Sequence, residues 1–159
     1  MKKIVSLGAS SILVLGLSLG LAGTGNTALP QVDPAYVKEC GACHIPYPAQ
    51  FLPKRSWERI LGALDKHFGE NATLSPKALA PIKSYLDSHA ADTAAGNPRI
   101  MRDVGVNITP LRIVEMPFWI HIHAKQIERH AFDSPKVKNA GNCAACHRGA
   151  AKGQFGDDD

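Results

Sequence analysis

Cys40-Gly41-Ala42-Cys43-His44 places two thiols three positions apart with an imidazole directly after the second. Each thiol at that spacing can add to one vinyl group of a porphyrin as a thioether, and the adjacent imidazole is then held under the iron as its proximal ligand. This is the attachment chemistry of a c-type haem. Cys143-Ala144-Ala145-Cys146-His147 repeats the pattern near the C-terminus, and the two motifs use all 4 cysteines of the chain. The residues therefore point to two haems, with Cys40, Cys43, Cys143 and Cys146 as thioether attachments and His44 and His147 as proximal iron ligands.

Two other chemistries use paired cysteines. A four-thiolate zinc site usually takes its two C-x-x-C units from much closer in sequence than these. A thioredoxin-like dithiol wants a βαβ pattern around it, and none is visible here.

The elements that must position the motifs begin after an export signal. Met1-Lys2-Lys3, a run of apolar and small residues from Ile4 to Gly23, and Thr27-Ala28 have the layout of a secretory signal, with cleavage expected near Ala28. Ser6, Gly8, Ser10 and Ser11 dilute the run as a membrane anchor, and no basic stop-transfer cluster follows. Thr24 stands where a lipoprotein would need cysteine. Export fits covalent haem attachment, which takes place outside the bacterial cytoplasm, so a periplasmic protein without stable membrane insertion is expected. Losing Lys2 and Lys3 with the signal lowers the formal charge from +4 to +2, and haem propionates lower it further. The charge gives no case for nucleic acid or an anionic membrane as partner.

About 130 residues then remain, a thin supply of apolar side chains for two separate cores. The expected architecture is mostly α, with two haem-binding halves sharing a haem-filled core: residues 29–90, a connection over 91–109, and residues 110–151, followed by a disordered tail over 152–159. Folding is expected to be coupled to haem insertion.

Asp33-Pro34 reads as a helix start leading into Cys40, and Ile45 to Pro53 as a loop. Ser56 reads as the cap of a helix whose apolar face carries Trp57, Ile60, Leu61, Leu64, His67 and Phe68. That face makes His67 a candidate distal ligand. Ser75-Pro76 opens a helix bearing Leu79, Ile82, Leu86 and His89, the last a rival ligand at a frayed end. Met101 and Met116 are thioether candidates that more often fill core gaps. In Pro117-Phe118-Trp119-Ile120-His121-Ile122-His123, the two histidines point apart on a helix and share a face only on a strand, so one of them is expected to ligate. His130 lies among charged neighbours, and Ser134-Pro135 reads as a short helix start.

These segments together resemble the small periplasmic dihaem cytochrome c family. The resemblance rests on Glu39 to His44 with Tyr47-Pro48, Ser56-Trp57, Asp65 to Ala72, Tyr85-Leu86 with Ala90-Ala91-Asp92, and Asn142 to Ala150. It implies two covalent haems, each with two histidine ligands, in a mostly helical electron carrier. It also implies His67 as one distal ligand, from the Asp-x-His-Phe-Gly segment, and His123 as the other, from its place after a Pro-aromatic-aromatic segment; His121 stands where that family has a non-ligand. Redox partners implied by the resemblance are an oxygen-binding monohaem cytochrome c and a membrane b-type cytochrome.

A haem enzyme or gas-binding sensor needs an open iron and distal acid-base groups, whereas a carrier needs both irons closed. Of the 7 histidines, two are proximal, and the rest suffice to close both sites. The expectation is a low-potential carrier with two unequal haems, Arg148 beside the second motif favouring its reduced state.

Overall fold

The computed structural model describes residues 32–156, so the expected signal over 1–28 and the last residues of the tail lie outside it. Asp33 and Pro34 start the first helix, α1 (Pro34–Cys40), as its sequence predicts. The Asp33 carboxylate accepts from the backbone N–H groups of Ala35 and Tyr36 at 2.8 and 3.0 Å, satisfying donors that the first helical turn otherwise leaves open.

The second helix departs from expectation at both ends. α2 spans Lys54–Leu61 and begins after Pro53, not at Ser56. Ser56 lies inside the helix, fully buried, where its hydroxyl finds no partner among the described residues. Gly62 then stops the helix, and a single 3-10 turn, Leu64–Lys66, carries the chain on to His67. His67 thus lies outside any helix, and the apolar spacing that grouped it with Trp57 and Ile60 runs across a break. Glycine loses the most backbone freedom in a helix, which is the physical reason for that break.

α3 (Pro76–His89) starts as expected, with Ser75 accepting from the Ala78 N–H at 3.3 Å. Among the described residues it is the longest element, and α1 and α2 pack against it. Tyr36, Leu52, Trp57, Ile82, Tyr85, Leu86, Ala90 and Ala91 form the core there, and the Trp57 indole N–H donates to the Ala49 carbonyl at 2.7 Å. Arg55 holds the connecting segment to α2 by donating to the carbonyls of Ile108 and Gly105 at 2.8 and 3.1 Å.

The second part has shorter elements. α4 (Pro117–Ile122) and α5 (Ala124–Glu128) flank His123, and the remaining structure is 3-10 turns. Ser134-Pro135 makes one hydrogen-bonded turn rather than a helix, because Lys138 enters the left-handed region at φ +71°. Met116 and Trp119 are the large buried side chains here. Among the described residues there is no β-strand, only an isolated bridge between His67 and Glu70. The fold is mostly helical, as expected.

Candidate functional site

The first C-x-x-C-H motif opens where α1 ends, and the second where a single 3-10 turn begins. The last residue of α1 is Cys40, and Gly41 closes the helix; a Cβ at Gly41 would run into the Val37 carbonyl, so glycine is the residue this motif position takes. Cys143–Ala145 is a single 3-10 turn, and the His147 N–H donates to the Cys143 carbonyl at 2.8 Å. None of the four cysteines is in a disulfide. Burial, helped by Glu39, pushes the Cys40 thiol up to about 11, and burial also raises Cys143, so before haem is attached these groups are protonated at neutral pH. Among the described residues no cluster of His, Cys, Asp or Glu could hold a bare metal ion, so the thiols do not converge into a tetrahedral zinc site.

The motifs are far apart in sequence yet face the same cleft. A cavity of about 350 Å³ is lined by Cys43, His44 and Tyr47 from the first and Asn142, Cys143 and Ala144 from the second. Tyr47 joins them: its ring stacks on His44 with centres 4.9 Å apart, and its hydroxyl donates to the Gly141 carbonyl at 2.8 Å. Its own carbonyl accepts from the buried Tyr36 hydroxyl at 2.5 Å, which ties this crossing point to the core. Burial and the neighbouring Cys143 raise the Tyr47 pKa, so it remains a hydrogen-bond donor at neutral pH.

Four of the histidines fall into two close pairs. The rings of His44 and His67 lie 6.3 Å apart, centre to centre, with planes 21° apart; those of His123 and His147 lie 6.2 Å apart with planes at 87°. An imidazole nitrogen sits about 2 Å from a bound first-row metal and the ring centre about 1 Å further back, so two imidazoles across one iron have centres about 6 Å apart. Each pair joins a motif histidine to one of the two distal candidates, and each has the spacing that an iron between them needs.

Hydrogen bonds orient one member of each pair. His44 Nδ1 lies 2.7 Å from the Ile45 carbonyl and His123 Nδ1 lies 2.9 Å from the Trp119 carbonyl. A carbonyl only accepts, so each Nδ1 carries the proton and leaves the Nε2 lone pair for a metal. Trp119 also stacks on His123, with ring centres 4.3 Å apart, and Phe132 packs edge-on against His123 and tilted against Trp119. Burial, with His44 close by, lowers the His67 pKa and favours its neutral, ligating form.

The other candidates are engaged elsewhere. His89 stacks on Tyr85 at 4.7 Å. His121 lies exposed on α4, two residues before His123 and on the opposite side, because the backbone there is helical rather than extended. His130 is exposed and 3.5 Å from Asp133. Met116 is buried in the core and Met101 packs against it, the gap-filling role. Two contributors carried no usable sequence signal. Tyr47 was visible only as a residue behind the motif, and Phe155, in the segment read as a disordered tail, sets its ring 5.0 Å from Phe51 and 5.7 Å from His147.

A family model described as dihaem cytochrome c matches residues 36–155. The chain is similar to the solved diheme cytochrome c from Rhodobacter sphaeroides, at 42% identity and a TM-score of 0.73, over 80% of this chain and 100% of that one. A second structure of the diheme protein from Rhodobacter sphaeroides matches at 39% identity and TM-score 0.66, with 80% and 100% covered. The diheme cytochrome type c from Shewanella baltica OS155 matches at 38% and 0.63, covering 79% of this chain and 88% of that one. Among curated proteins none matches it.

Proposed function

The chain belongs to the dihaem cytochrome c family and carries two covalently bound haem c groups, and from that premise we propose that it is a low-potential electron carrier whose two irons are both closed by histidine pairs. The observation that carries this reading is the pair of ring separations, 6.3 Å for His44 with His67 and 6.2 Å for His123 with His147. In this reading Cys40 and Cys43 hold the first haem and Cys143 and Cys146 the second, with His44 and His147 proximal and His67 and His123 distal.

When bound, each haem supplies a one-electron couple; the chain sets where that couple lies and keeps other chemistry out. Imidazole donates more strongly to ferric iron than a thioether does, so paired histidines favour the oxidised state and lower the potential. The Nδ1–H bonds of His44 and His123 to carbonyls strengthen that donation. A ligand on both faces leaves no position for substrate, which argues against the alternative of a peroxidase or nitrite reductase. Tyr47 holds the motifs on one cleft, which supports electron passage between neighbouring haems.

The expected location is the periplasm. No helix of the described residues is long and apolar enough to cross a membrane. The expected partners are other redox proteins, an oxygen-binding monohaem cytochrome c and a membrane b-type cytochrome among them. A spectroelectrochemical titration tests the role: two couples well below those of His/Met cytochromes are expected. Potentials in the His/Met range, or rapid turnover of peroxide or nitrite, would contradict it.

A further inference from the structure

The two distal histidines are mounted very differently. His123 caps α4 and is held three ways: its Nδ1–H donates to Trp119 at 2.9 Å, the Trp119 indole stacks on it at 4.3 Å, and Phe132 packs on its edge at 5.9 Å. His67 has none of this. Among the described residues its ring nitrogens make no hydrogen bond, and its neighbours are the facing His44 and the edge of Phe68 at 4.9 Å.

The backbone under His67 is also costly to hold. Phe68, a bulky residue, sits in the left-handed region at φ +51°, and Gly69 follows at φ +106°. A side chain there crowds the following carbonyl, so this turn lies above its relaxed conformations in energy. Among the described residues it is held by Glu70 N–H to the His67 carbonyl at 3.0 Å, Ala72 N–H to the Leu64 carbonyl at 2.8 Å, and the Arg112 guanidinium over the exposed Phe68 ring. Phe68 is half exposed, so the turn can swing outward without uncovering core.

On the closed-iron reading above, we propose that His67 is the exchangeable ligand, making the first haem a binding site for a small single-atom donor such as cyanide or nitric oxide, while the second haem stays closed. The exchange breaks the bond to His67 Nε2 and forms one to the incoming donor atom, with no change of oxidation state. His44 and His147 stay in place because the attached cysteine beside each holds it under the iron. The Arg112 guanidinium lies 4.3 Å from the Phe68 ring centre. Glu115, 3.8 Å away, pairs with it, so the two bring no net charge to the entrance beside His67.

The two pairs label themselves for the test. Ligand planes 21° apart give ferric low-spin iron a rhombic electron paramagnetic resonance spectrum, and planes 87° apart give a single feature at high g. Potassium cyanide is added to the oxidised holoprotein and both signals are followed with time. The rhombic signal should convert first, by a factor on the order of ten or more in rate. Gly69→Ala, where an added Cβ meets nothing within 4 Å but φ is unfavourable, should speed conversion about tenfold, and Phe68→Asn, which tolerates that φ, should slow it. Loss of the high-g signal first, equal rates, or no reaction at either haem would overturn the proposal. A high-spin signal before any cyanide is added would instead show that the closed-iron reading itself fails.

Discussion

Replacing Tyr47 by phenylalanine removes one oxygen atom from the crossing point of the two motifs and leaves the ring on His44. The lost hydrogen bond, 2.8 Å to the Gly141 carbonyl, spans 94 residues of sequence and is partly buried. A bond of that kind contributes about 1 kcal/mol net, and leaving a half-buried carbonyl without its donor adds a fraction of the 1–3 kcal/mol that full burial costs, roughly 1.5 kcal/mol in all. For a domain of this size that is a fall in melting temperature of about 5 °C. Thermal unfolding of the holoprotein, followed by circular dichroism in parallel with Tyr36→Phe, measures it. Tyr36→Phe should fall by a similar amount, because its hydroxyl donates to the Tyr47 carbonyl at 2.5 Å. Both variants should keep two low-spin haems. An unchanged melting temperature for Tyr47→Phe would refute the argument that this bond holds the motifs together, and loss of a haem would show that the tyrosine does more than position them.

The remaining expectations are narrower. His123→Ala should open the second haem to carbon monoxide in the reduced protein while His121→Ala binds none, read from the optical spectrum with and without the gas. Asp33→Ala removes the cap of α1 and should cost about 1 kcal/mol in guanidinium unfolding without changing the haem spectra. Removing both haems chemically should abolish most of the helical circular dichroism, since the second part places few large side chains in the core.

What could be read from the residues divides along a physical line. The motifs, Asp33 and Ser75 were legible because each acts within a few residues of itself: a cysteine spacing, a cap, a proline in a first turn. His67 and His123 were singled out as distal candidates, His67 in part by a helical face that does not exist. The apolar spacing continued past Gly62, and nothing in that spacing says that the chain stops being helical there. The pairing of His123 with His147, the Tyr47 bridge to Gly141 and the Phe155 ring near His147 join positions far apart in the chain, and only packing brings them together. Trp119 was seen only as an aromatic before a histidine. Its carbonyl orients His123 because α4 is a helix, in which the carbonyl four residues back lies beside the side chain.

The claim that both irons are closed by histidine pairs of unlike geometry meets its most direct test in the electron paramagnetic resonance spectrum of the oxidised holoprotein. Two low-spin signals of equal weight are expected, one rhombic from His44 and His67 with planes 21° apart and one at high g from His123 and His147 at 87°. A high-spin signal from either haem, or the far-red absorption band of a thioether-ligated ferric iron in the same sample, would contradict it.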